Sequence, residues 1–236
     1  MLEQKYPATL KMSELINVDS TMLLVVSRFG LPLGFENKTV KEVCESNNID
    51  TYTFLTVVNF LSEDNFEMDN DYDKVSIETL IEFLKNGHQY FLGFKLPAIR
   101  AKLLSATESV ELNSVYRDIL LHFFDEYMEE VDSHMRYEDE VVFPYVLKLL
   151  QGTVDDEYNI RMFEERHNQI DQKLIELKNI LIKYFPVEKA NVNLLTDVLL
   201  DIFSCGTDLS LHNKVEDYMF VPAIEAIENK MKTKHV

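Results

Sequence analysis

Two stretches of this chain carry the same pattern of chemically capable residues: HMRYEDEVVFP, from His134 to Pro144, and HNKVEDYMFVP, from His212 to Pro222. Both read His-x3-Glu-Asp-x4-Pro. On a helix, a His and a Glu four positions apart lie one turn apart on the same face. Two such pairs on facing helices present two imidazoles and two carboxylates to one point. That is the ligand set of a non-haem di-iron centre in a bundle core.

The elements that must position these residues are long helices. Hydrophobic periodicity predicts four of them, over about 76–106, 112–150, 155–184 and 190–232, joined by short connections. The fold class expected is all-α: an up-down-up-down four-helix bundle over 76–236. Pro97, Pro144 and Pro222 are expected to kink these helices without breaking them. Of the chain's six histidines, one falls on the apolar stripe of each predicted helix. His88 lies with Ile81, Leu84, Phe91 and Leu92, and His134 with Tyr127, Val131, Glu138, Val141 and Tyr145. His167 lies with Ile160, Phe163, Ile170 and Leu174, and His212 with Leu209, Glu216, Met219 and Phe220. His122, set among Asp118, Asp125, Glu126 and Glu129, belongs to a solvent face, and His235 to the tail.

A carboxylate on an apolar stripe needs a partner, because an unpaired buried charge costs several kcal/mol. Buried His–Glu salt bridges that set helix register are the bland alternative. Against it stand four inward His and two inward Glu with no inward Lys or Arg. This set overfills a tetrahedral zinc and suits two ions, each with two His, bridged by Glu138 and Glu216. Imidazole-rich ligation with bridging carboxylates favours iron over zinc or manganese. A ferritin-like pattern fits less well: Glu164-x-x-His167 matches one of its elements, but the paired segments read His-x3-Glu instead. Asp139 and Asp217 are about 100° around the helix from the Glu they follow, a place beside the metal ligands or on the surface rather than among them.

Residues 1–63 read as a small N-terminal helical domain. Asp19 or Ser20 caps one helix, which stops at Gly30 and Pro32; Thr39 and Asp50 cap two more. An acidic linker, 64–75, follows. The net charge of -18 argues against nucleic acid and anionic membrane surfaces as partners. No apolar run reaches transmembrane length and MLEQKYPATL lacks a signal-peptide pattern, so a soluble, cytoplasmic protein is expected. Cys44 and Cys205 belong to no C-x-x-C pair and are expected to be buried thiols.

The segments GHQYFLGFKLPAI, HMRYEDEVVFP, ERHNQI and LHNKVEDYMFVPAI together resemble hemerythrin-like proteins, and specifically the repair-of-iron-centres family of bacterial di-iron proteins. The resemblance implies His88, His134, His167 and His212 as terminal ligands and Glu138 and Glu216 as bridges, holding two non-haem iron ions with an oxo or hydroxo bridge. It further implies binding or reduction of dioxygen, nitric oxide or peroxide. A role in repairing iron–sulfur clusters damaged by stress would follow, with iron–sulfur proteins as partners; an oligomer is compatible. SRFGLPLGFENKTVKEVCESNNID is similar to the family's small N-terminal domain, with Gly34-Phe35 where the family has adjacent cysteines. A Gly-Phe pair cannot hold iron or exchange electrons, so a ligand sensor or regulatory module without turnover is the alternative function.

Overall fold

The structure is a computed structural model that describes residues 5–62, 72–108, 114–153, 157–164, 170–184 and 192–234. His167, His235, most of the acidic linker and the turn at 154–156 lie outside these residues. The described residues are helical, without a β-strand; an isolated antiparallel bridge joins Lys11 to Thr39. The fold is all-α, a helical bundle. No helix among the described residues is long and apolar enough to cross a membrane.

The N-terminal helices are α1 (Met12–Val18), α2 (Met22–Arg28), α3 (Val40–Ser46) and α4 (Thr51–Ser62). Side-chain oxygens accept from backbone amides near the starts of α2, α3 and α4, whereas α1 has no side-chain cap. Asp19 Oδ1 accepts from Thr21 N–H at 2.9 Å, and Asp50 Oδ1 from Thr53 N–H at 2.7 Å. Thr39 and Glu42 form a reciprocal capping box, which holds the Glu42 carboxyl below its usual range through the Thr39 amide and hydroxyl. The sequence reading did not single out α1.

Among the described residues, three of the long helices are each built from two α segments around a wider turn. The first runs α5 (Ile77–Tyr90), a π turn (Phe91–Lys95), then α6 (Leu96–Glu108). The second runs α7 (Ser114–Tyr137), a π turn (Glu138–Val142), then α8 (Phe143–Leu150). After α9 (Arg161–Glu164) and α10 (Ile170–Tyr184), the last runs α11 (Val192–Val215), a π turn (Glu216–Phe220), then α12 (Val221–Lys234). Pro97, Pro144 and Pro222 each stand second in the α segment after a π turn. A proline has no N–H to give and its ring collides with the carbonyl four residues back. The widened turn accommodates this: Leu96, Phe143 and Val221 donate to the carbonyls of Phe91, Glu138 and Glu216, five residues back. The prolines therefore leave the long helices continuous, with the deviation concentrated in one π turn each.

The π turn overturns one detail of the sequence reading. An unbroken α-helix places Val141 on the buried stripe of His134 and Glu138. The extra residue turns Val141 outward, 39% exposed, and brings Val142 inward, fully buried. The third predicted helix also begins later than 155: residues 157–160 are not helical. There the Ile160 amide and the Tyr145 hydroxyl both donate to Glu228 Oε1, at 2.9 and 2.6 Å, and Tyr158 packs against the Tyr145 ring.

The described residues gather into two compact units. One holds the chain to Gly87 with Tyr145–Arg161 and the residues from Lys214 onward. Its core includes Phe29, whose ring lies 4.9 Å from Phe54 and 4.8 Å from Phe83. Asn59, buried, exchanges hydrogen bonds with the backbone of Tyr6, and Asn86 donates to the Arg28 carbonyl. The other unit, His88–Pro144 with Met162–Asn213, has a core that includes Phe91, Leu103, Phe124, Tyr127, Leu177 and Ile202. Ion pairs of this unit join Arg100 to Asp125, Lys95 to Asp201, Lys102 to Asp197 and Asp201, and Lys173 to Glu130.

Candidate metal centre

His88 comes from the last turn of α5, His212 from the last turn of α11, and His134 from the last turn of α7. Glu138 and Glu216 each open a π turn, one helical turn beyond His134 and His212. His88, Glu138, His212 and Glu216 are buried, and one ligand atom from each lies within 4.8 Å of all the others. Glu138 is the hinge of the arrangement: its Oε2 stands 2.8 Å from His88 Nε2 and its Oε1 2.8 Å from His134 Nε2. His134 is slightly more open than the other imidazoles, its side chain 11% exposed.

Aromatic rings wall the site. Phe143 stacks on His88 with centroids 5.7 Å apart, Phe163 stacks on His134 at 6.2 Å, and Phe91 meets His212 edge-on at 5.8 Å. Phe143 and Phe163 were not among the candidate residues; spacing puts Phe163 on the stripe of His167 but does not show that it stacks on His134, and nothing in its spacing marks out Phe143. Asp139, which spacing alone leaves beside the ligands or on the surface, accepts a hydrogen bond from His88 Nδ1 at 3.1 Å. The structure thus brings together five of the six candidate ligands; the sixth, His167, lies outside the described residues.

The donor set fits a cation. Two carboxylates within 4.8 Å of each other repel by at least about 3 kcal/mol at an effective dielectric of about 20. Burial removes the water that would screen them, so a cation between them would offset the repulsion. Imidazole nitrogens and carboxylate oxygens in this ratio suit first-row transition metals rather than calcium or magnesium.

A model of the hemerythrin HHE cation-binding domain matches residues 79–224. The chain belongs to the hemerythrin HHE domain family. The match begins in α5 and ends in α12, so it takes in every candidate ligand of this HHE domain, His167 included. Hemerythrin HHE domains bind iron, which makes this an iron-binding protein by family and by donor set. The N-terminal helices α1–α4 lie outside the matched region. No curated protein and no solved structure matches the chain.

Proposed function

We propose that the chain is a cytoplasmic di-iron protein of the repair-of-iron-centres type, which binds or reduces nitric oxide, dioxygen or peroxide and serves the repair of stress-damaged iron–sulfur clusters. The observation that carries this reading is the posture of Glu138, whose two oxygens face imidazoles from two different helices, His88 and His134. A carboxylate shared between two cations needs that posture. His88 and His212 would hold one ion with the two carboxylates, and His134 and His167 the other. Bound iron would supply a redox-active, Lewis-acidic position open to a small ligand. Phe143, Phe163 and Phe91 keep bulk water from the imidazoles, and Asp139 holds the His88 ring in place.

Anaerobic purification with iron, followed by metal analysis and optical spectroscopy, tests this reading. About two irons per chain, and a spectrum of the reduced form that changes with nitric oxide, are the expected results. Less than one iron per chain would sink the di-iron assignment.

A second reading, ligand sensing without turnover, has its own observation. Phe60 of α4 is flanked by Lys214, whose Nζ lies 5.0 Å from its ring centre, and by Tyr218, with centroids 6.3 Å apart. These two residues stand either side of Glu216, so a change at that carboxylate has a short path to an N-terminal helix. The chain has no tryptophan, so Phe60→Trp gives a single tryptophan that red-edge excitation selects over the tyrosines. Sensing predicts an emission change when diamagnetic zinc is added; unchanged emission, or sustained multiple turnover of nitric oxide or peroxide, argues for the first reading.

A further inference from the structure

We propose that Asp139 is a positioning residue for the metal centre: it fixes His88 with Nδ1 protonated, so that Nε2 presents its lone pair to the site. This deepens the metal-binding reading above and rests on it.

Both ring nitrogens of His88 face carboxylates from successive residues. Nε2 lies 2.8 Å from Glu138 and Nδ1 lies 3.1 Å from Asp139. A carboxylate only accepts hydrogen bonds, so the Asp139 contact requires the proton on Nδ1. A neutral ring held this way has only a lone pair to direct at Glu138. Lone pair and carboxylate oxygen repel at 2.8 Å unless a positive charge joins them, so the tautomer chosen by Asp139 turns this gap into a place for a cation.

The two acids differ in the way this division of labour needs. The Glu138 side chain is fully buried, whereas Asp139 is 38% exposed and keeps contact with water. Asp139 can therefore remain an acceptor at modest desolvation cost while Glu138 is left to the metal. The widened turn that starts at Glu138 carries both residues, which places adjacent carboxylates against opposite edges of one ring. Without Asp139, His88 could turn its Nε2–H to Glu138 and satisfy that carboxylate without any metal. The repeat carries an aspartate, Asp217, in the same place after Glu216.

The test compares Asp139→Leu, similar in size but without an acceptor, with Asp139→Asn, which keeps the side-chain oxygen. Cobalt(II) affinity is measured by chelator competition on the full chain, thermal stability by calorimetry, and the protonation of His88 by imidazole nitrogen NMR of the metal-free protein. The leucine variant should bind cobalt(II) ten- to a hundredfold more weakly with altered visible bands, and the asparagine variant should recover most of the loss. The His88 Nδ1 proton should be present in the parent and lost or shared with Nε2 in the leucine variant. Unchanged affinity in the leucine variant, or an asparagine variant as weak as leucine, would overturn the assignment. A parent chain that takes no cobalt(II) overturns the metal reading itself; identical His88 ring spectra in parent and leucine variant overturn the role of Asp139 in either case.

Discussion

Glu138 and Glu216 are sealed from solvent beside each other, and their charge is both the reason for metal binding and a cost without it. Glu138→Gln keeps the shape and removes one charge. Iron content should fall sharply, while the metal-free chain should gain about 1–3 kcal/mol because the mutual repulsion is relieved. Denaturation in chelator, beside metal analysis, checks both, and a destabilised metal-free variant would contradict the electrostatic account. Cys44 behaves in the opposite way: burial pushes its thiol up to about 12, so it is inert at neutral pH. Alkylation at pH 8 should track global unfolding, with no fast phase from Cys44. At this scale the buried cluster of His88, Glu138, His212 and Glu216 was legible, because His and Glu on an apolar stripe are chemically out of place. Asp139 was only half legible: a position 100° from Glu138 says which way it points but not that His88 stands there.

Three long helices of this chain each carry a proline inside, and a single residue, Leu96, Phe143 or Val221, separates each described π turn from its proline. The repeat spells this out, since Glu-Asp-x4-Pro contains the whole π turn between ligand and proline. The sequence therefore showed that the helices deviate, but not that the deviation is an extra residue; that is why Val141 was expected inside and Val142 took its place. Proline causes the turn by removing a donor and crowding a carbonyl. Pro144→Ala restores the N–H and lets the α ladder close. This variant should melt at least as high as the parent yet bind iron more weakly, as Glu138 is drawn out of its present angle. Unaltered iron affinity would mean that the surrounding packing, not Pro144, sets the turn. A second element-scale prediction concerns the approach of α11 to α10. A Cβ at Gly206 would lie 2.8 Å from Leu174 Cδ2. Alanine gains about 1 kcal/mol of helix propensity there, but overpacking costs about 1–3 kcal/mol. Gly206→Ala should therefore be destabilised by about 1 kcal/mol in urea titrations.

The whole molecule carries a net charge of -18, which repels itself at any compact shape. Its surface ion pairs offset this only in part, because exposed pairs contribute about 0–1 kcal/mol each. Raising sodium chloride from low to about 0.5 M should therefore raise the melting temperature, since screening relieves more repulsion than attraction. Acid acts through particular carboxyls. The Arg100 guanidinium holds Asp125 below its usual range, and Lys102 and Lys95 outweigh burial to do the same for Asp201. Both are depressed in the folded state, so their contribution is complete above the ordinary aspartate range and is lost as pH falls below it through their lowered folded-state values. The fold class was readable at this scale from long apolar stripes with few Gly and Pro. The α4 contacts with Lys214 and Tyr218 were not, because helix pairing across such a separation leaves no local periodicity.

One further consequence of the site concerns time rather than geometry. Its ligands enter from His88 to Glu216, so none of the local contacts that form early in folding can assemble it. The centre exists only once distant helices have closed, and loop-closure entropy has been overcome by packing alone. Metal therefore arrives as a lock on a finished bundle. In kinetic experiments, saturating metal should leave the refolding rate unchanged and slow unfolding by the full binding stabilisation. In a cell, the lifetime of this protein would then be set by its supply of iron.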